Sequence, residues 1–231
     1  MESIVIACTK NLDNADQETR RALSGLVGHI LASTQTAKAA PPPDTSKKGK
    51  KELGDEEDVA TSSAAMSEGT KTIMTPSEML SQLSTLFNKP NTSRKTRIGL
   101  FDFYSVLIST LGSTFVEANY ATIVKHFLEE IVAVNPRPAS AVALSSSALR
   151  YETLLVRKLV GIVLRDLIGV RLLSEQGQIA AIQELSRSYL KKWPALMPGQ
   201  VAPTPAVLVI VLKEVAGLVQ QLGNAPPPVQ V

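Results

Sequence analysis

Two histidines, one cysteine and a short serine run are the residues of this chain whose types suit catalysis or metal binding. His29 and His126 lie far apart, and neither belongs to a set of Cys, His and carboxylate residues at metal-ligand spacing. Ser145, Ser146 and Ser147 form a small-residue patch inside a helical pattern and lack the strand–turn–helix setting of an esterase nucleophile. No glycine-rich phosphate cradle follows a strand, because no strand pattern is present. Cys8 sits in an apolar run and reads as a buried, inert thiol; a single cysteine excludes an internal disulfide framework and fits a reducing compartment. The chemistry-bearing residues therefore point to a protein that is not an enzyme and needs neither cofactor nor metal.

One charge pattern has functional content. On a helix running from about Ser140 to Val170, steps of 100° per residue place Arg150, Arg157, Lys158, Arg165 and Arg171 within one arc of about 140°. Leu155, Leu159, Ile162, Val163 and Leu167 fall roughly opposite. Such a stripe suits an acidic protein partner or anionic lipid headgroups, although a basic stripe is more often simply the solvated face of a helix. Glu152 and Asp166 fall on the apolar side, which predicts ion pairs with arginines of an adjoining helix, because unpaired burial is costly. The whole chain has 24 basic and 21 acidic residues, a net charge of +3, too balanced to require nucleic acid. Nothing indicates a small-molecule substrate.

The elements that must position such a surface are helices. Leu100, Phe103, Tyr104, Leu107, Ile108 and Leu111 recur on one helical face, and Val116, Tyr120, Ile123, Val124, Phe127, Leu128 and Ile131 on another. Gly112, Ser113 and Thr114 between them predict a tight reversal and antiparallel neighbours. Each large side chain gains roughly 1.5–3 kcal/mol on full burial, yet neither face can be hidden by its own helix. Further helices are read at about Asp16–Ser33, from Pro76 behind a capping box of Thr75 and Glu78, from Ser174 onward, and over Leu208–Leu222 before a stop at Gly223. Ile4–Thr9 read as the end of another helix. Trp193 reads as a packing anchor at the start of a proline-rich loop. With aromatics at only 4%, Leu, Val, Ile and Ala do the packing.

Residues 35–74 read differently. They hold six lysines against seven Asp and Glu, with Leu53, Val59, Met66, Ile73 and Met74 as their large apolar residues. Burying all five would return on the order of 10 kcal/mol, against an ordering cost of about 1–2 kcal/mol per residue, so this segment is predicted to be disordered. Lys47–Lys51 resemble a localisation or phosphate-binding patch, but Asp55–Asp58 follow at once and favour a solvated polyampholyte. The amino terminus lacks the basic start and long apolar stretch of a secretory signal. The apolar run Ala206–Leu212 ends at Lys213 and Glu214, short of the roughly 20 residues of a membrane helix. Together these readings divide the chain into helices at 1–34, a low-complexity insertion at 35–74, helical pairs over 75–223 and a Pro-rich tail at 224–231, in an all-α fold.

Three stretches carry a family resemblance: residues 8–31 (CTKNLDNADQETRRALSGLVGHIL), Ile98–Val132 and Tyr151–Leu185. They resemble the HEAT-repeat accessory proteins of the clathrin adaptor that works between the trans-Golgi network and endosomes, the fungal large adaptor accessory protein and its animal HEAT-repeat-containing relatives. The most specific pieces are Leu111–Val132 and Leu173–Leu185, the latter with Gln178, Ile179, Ala180 and Ala181. Leu12, Asp13, Asp16, Glu18, Arg20, Ala22 and Leu26 look like the turn and second-helix start of a HEAT repeat, in which an acidic turn residue and an early arginine tie adjacent units together. The resemblance implies an α-solenoid of HEAT/ARM-like antiparallel pairs, with 1–34 a partial repeat and the chain one segment of a longer solenoid. It implies a non-enzymatic scaffold in retrograde endosome-to-Golgi transport, bound to the clathrin adaptor complex or its accessory subunits, cytoplasmic and peripheral to Golgi and endosomal membranes. A different helical-repeat scaffold, in nuclear transport or translation control, and an anionic-lipid-binding peripheral protein are the alternatives.

Overall fold

The computed structural model describes residues 2–36, 75–89, 92–133, 146–191 and 202–224. Within them every regular element is a helix. The expected disorder of the insertion falls almost wholly outside the described residues, as do the expected roles of Ser145, Trp193 and most of the Pro-rich tail. Gln35 and Thr36, assigned to the insertion from sequence, instead complete a helix.

Capping chemistry sets the helix starts. Helix α1 spans Glu2–Asn11 and α2 spans Gln17–Thr36. Ahead of α2, the Asp16 carboxylate accepts from Thr19 N at 2.7 Å, which holds its pKa below the ordinary value. Helix α3 (Pro76–Asn88) has the expected capping box: Glu78 N donates to Thr75 Oγ1 at 3.2 Å and Thr75 N donates to Glu78 Oε2 at 2.7 Å. Helix α4 (Arg94–Ala118) starts on Ser93.

The expected separation at Gly112–Thr114 is only partly what forms. Gly112 has φ 76° and ψ −179°, a conformation other residues rarely take, and it kinks α4. Helix resumes past it as far as Ala118, and a second break at Asn119 leads into α5, Tyr120–Lys125, which continues as a π-helical segment, His126–Val132. The chain turns back by these two steps, and Tyr104 meets Phe127 with ring centroids 4.8 Å apart. Apart from half-buried Leu111, all the residues assigned to the two apolar faces are buried. Helix α6 spans Ser146–Gly161 and continues as a π-helical segment, Ile162–Leu172; α7 spans Glu175–Leu185 and continues through Ser186–Leu190; α8 spans Pro205–Gly223.

Contacts between helices keep a direction. Between α2 and α4, Ser24 Oγ donates to Gly99 O at 3.0 Å, Gly28 lies on Val106, and His29 stands opposite Thr110. The positions rise together, so the two helices run the same way. Between α4 and α6, Arg94 meets Tyr151, Arg97 meets Glu152, and Glu117 accepts from Ser174 N and Oγ just past α6, again rising together. Between α6 and α8, Arg165 lies beside Gly217 and Gly169 beside Leu218. A single core cluster of buried side chains extends from Val5 and Leu12 to Leu218, with Phe87, Phe103, Tyr104 and Phe127 its largest members.

Two buried polar groups show how the core tolerates charge. Arg97 is 3% exposed; its guanidinium pairs with Glu152 at 3.2 Å and donates to Phe87 O. This joins α4 to α6 as predicted for Glu152. Arg20 donates to Ala15 O in its own turn and, with Arg21, acts electrostatically on half-buried Asp102 of α4, drawing down a carboxyl pKa that burial raises. His126 is held neutral. Burial pushes its pKa down to about 4 against the opposing pull of Glu130, Tyr104 OH lies 2.6 Å from Nε2, and Glu130 Oε2 lies 3.3 Å from Nδ1 without the alignment of a hydrogen bond.

The α2–α4 crossing makes a sharp prediction. A Cβ at Gly28 would stand 2.8 Å from Val106 Cγ1, 2.9 Å from Val106 Cβ and 3.1 Å from Leu107 N, none of which can swing aside. At Gly25 nothing lies within 4 Å. Replacing a mid-helix glycine by alanine gains about 0.5–1 kcal/mol from the backbone, whereas overpacking costs about 1–3 kcal/mol. Gly25→Ala should therefore raise the urea midpoint, and Gly28→Ala should lower stability by about 1–2 kcal/mol. Equal effects of the two substitutions would contradict the close crossing.

Candidate functional site

The basic stripe resolves into a groove between α6 and α8. Its walls include Leu154, Arg157, Lys158 and Arg165 from α6 and Val209 and Lys213 from α8, around a volume of about 570 Å³. Three of the five residues assigned to the stripe, Arg157, Lys158 and Arg165, line it. Arg150 is exposed but lies outside the groove, whose lining on α6 begins at Leu154. Arg171 is exposed and also lies outside. From Ile162 the helix is π-helical, with Leu173 N donating to Ile168 O at 3.0 Å. A π-turn holds more residues than an α-turn, so the rotation of 100° per residue that aligned Arg171 with Arg157 no longer applies.

Ile162, which the sequence placed on the buried side, is 38% exposed and lines the groove beside Leu154, 55% exposed, and Val209, 50% exposed. Leu155, Leu159 and Leu167 are half-buried and Val163 is buried. The packed side of the α-helical part is instead marked by Val156 and Val160.

Charge in the groove is unevenly satisfied. Arg165 is engaged by Asp166 of its own helix, with Nε to Oδ1 at 2.8 Å and the second nitrogen to Oδ2 at 3.4 Å. That corrects the expectation of an inter-helix partner for Asp166; the hydrogen bonds raise the Arg165 pKa further. Among the described residues no carboxylate pairs with Arg157, Lys158 or Lys213. Arg157 is half-buried, and its Nε has no hydrogen-bond partner. Glu214, at the inner edge, is 3% exposed, and its Oε1 is buried without a partner beside Gly169. Burial pushes its pKa up to about 7, opposed by nearby Arg165 and reinforced by Asp166. Sequence reasoning missed Lys213 and Glu214, having read them only as the end of an apolar run.

Two other hollows are less charged or already occupied. One of about 1080 Å³ lies between α1 and α3, with Ile6, Leu86 and Thr96 among its lining and Lys10, Asp13 and Lys89 as its charges. One of about 430 Å³ lies by the start of α7 and contains Glu117, whose carboxylate is already committed to Ser174. Among the described residues no group of three or more His, Cys, Asp or Glu is placed to hold a metal ion. Cys8 is a buried free thiol, and His29 is exposed.

No family model matches the chain, and no solved structure is a significant match to it. By length and apolarity alone α4 and α8 are each sufficient to cross a bilayer. For α8 this corrects the expectation of too short a run: Val215, Leu218, Val219 and Leu222 carry it past Lys213 and Glu214. In the fold α4 buries Leu100, Phe103, Tyr104 and Leu107, while α8 buries one side and exposes Val209, Leu212 and Val219.

The Glu214 carboxyl yields a pH-dependent prediction. Its folded pKa of about 7 lies above the ordinary value of 4.5, so the folded chain holds the proton that the unfolded chain releases. Relative to an uncharged isostere, its contribution is intact below pH 4.5 and is lost as the pH rises through 7. Each pKa unit is worth about 1.4 kcal/mol. Glu214→Gln should accordingly be more stable than the parent by about 1–3 kcal/mol at pH 8 and nearly equal to it at pH 4 in urea titrations. A constant difference across that range would contradict the buried, unpaired carboxyl.

Proposed function

We propose that the chain is a non-enzymatic α-solenoid scaffold of HEAT type, acting in clathrin-adaptor-dependent transport between endosomes and the trans-Golgi network. It would work in the cytosol, at the periphery of those membranes. The observation that carries the scaffold reading is the recurrence of like-directed contacts from one helix pair to the next. Second helices α2, α4, α6 and α8 meet in sequence. First helices do the same: Asn88 Nδ2 of α3 donates to Glu130 O of α5, and Tyr189 OH at the end of α7 lies 3.5 Å from Glu129 Oε1 of α5. Units that cannot each bury their own apolar faces, stacked so that neighbours complete one core, are the logic of a repeat scaffold.

The adaptor part of the proposal draws on the resemblance in Leu111–Val132 and Leu173–Leu185. In those stretches Gln178 is buried and donates to Gly169 O at 3.1 Å, Ala181 is buried, and Glu117 caps the turn before α7. They supply the packing of one pair on the next. Capture tests the proposal. The immobilised chain, incubated with cell extract, should enrich clathrin-adaptor subunits in immunoblots over an unrelated helical-repeat protein of similar size. Enrichment of nuclear-transport or translation factors without adaptor would replace this reading with that of another helical-repeat scaffold.

A further inference from the structure

The α6–α8 groove sets three exposed apolar side chains, Leu154, Ile162 and Val209, among three cations, Arg157, Lys158 and Lys213, that no carboxylate of the described residues neutralises. We propose that this groove docks an acidic amphipathic helix of a protein partner, with the partner's apolar side on Leu154, Ile162 and Val209 and its carboxylates on Arg157, Lys158 and Lys213. The inference rests on the scaffold reading and adds the chemistry of the partner; it does not require that partner to be the adaptor.

Charge complementarity selects the occupant. The two carboxylates near the groove are withdrawn from it electrostatically: Asp166 is engaged by Arg165, and Glu214 is buried. What faces outward is therefore cationic, and it attracts acid. Groove-to-groove pairing of two copies does not fit, because it would bring the same cations face to face. The apolar residues lie in a hollow between two helices that run the same way, from Leu154 to Arg165 on one wall and from Pro205 to Lys213 on the other. At 1.5 Å per residue the α8 wall is about 12 Å long, a little over two turns of a helix. A helix laid along it presents residues at i, i+3, i+4 and i+7 to the floor and carboxylates to the rims. A flat bilayer meets the two crests and leaves such a floor uncovered.

The test is fluorescence anisotropy on the purified full chain with a labelled helical peptide of about four turns, built of Glu and Leu with leucine on one side only. A scrambled peptide of the same composition serves as control. The expected result is binding with Kd on the order of 10–100 µM, at least tenfold tighter than the scrambled peptide. Lys158→Glu combined with Lys213→Glu should abolish that binding and create binding of the corresponding Lys/Leu peptide; Leu154→Ser with Val209→Ser should weaken the Glu/Leu peptide about tenfold. All four side chains are exposed, so far-UV circular dichroism of the variants should match the parent. Equal binding of both peptides, unchanged binding by the charge-reversed variant, or association only with phosphatidylserine vesicles would overturn the assignment. A chain that captures adaptor yet ignores the peptide refutes this docking site alone. One that binds the peptide and captures no adaptor refutes the transport reading alone.

Discussion

Burial of α4 on more than one side is the constraint from which the rest of the structure follows. Leu100, Phe103, Tyr104, Leu107 and Ile108 form one apolar stripe, but Phe101, Gly99 and Thr96 are buried as well, so no single neighbour covers the helix. α2 approaches over Gly28, where the absence of a side chain lets it close on Val106 and the Leu107 backbone, and Gly99 leaves room for Leu12 beyond α1. α5 returns across the Gly112 and Asn119 breaks to place Phe127 on Tyr104, and α6 is joined by the Arg97–Glu152 pair. Small residues, aromatics and a buried ion pair serve three different neighbours of one helix. A helix that needs three partners cannot be stable in a two-helix unit, and that need propagates the packing along the chain.

Much of this was legible in the sequence because helix periodicity is strong and capping residues are specific. The apolar faces of α4 and α5, the Thr75–Glu78 box, the Ser174 start and the Gly223 stop all follow from residue type and spacing. What escaped were features that depend on helix geometry departing from 100° per residue. Rotating a stripe at a fixed step assumes an α-helix throughout, and α6 ceases to be one after Gly161. Arg171 consequently left the stripe. Gly112 was correctly marked as a break, yet helix resumes directly beyond it, because its unusual φ redirects the chain without ending the backbone pattern on either side.

Long-range polar pairs were legible only in half. Glu152 on an apolar face announced that a cation must meet it, but nothing local identified Arg97 as that cation. His126 and Tyr104 each stood in an apolar run; only the turn between α4 and α5 brings them to 2.6 Å. The contrast between Glu152 and Glu214 is instructive. Both belong to helices that bury an apolar side, but Glu152 has a guanidinium at 3.2 Å, whereas Glu214 has an oxygen with no donor. The first is an ionic tie between helix pairs, and the second is a carboxyl whose burial favours retention of its proton.

That difference also explains why the groove presents itself as cationic. Had Glu214 been exposed, it would stand as an anion beside Lys213 and Arg165, and the local field would be close to neutral. Buried, it contributes little outward charge, while Asp166 is spent on Arg165. Neutralising Lys158 or Lys213 with a surface carboxylate would change stability little, since exposed pairs are worth about 0–1 kcal/mol. The unpaired cations are thus not explained by folding. Their consequence lies outside the chain: beside exposed leucine and valine they disfavour association of like surfaces and favour an acidic one.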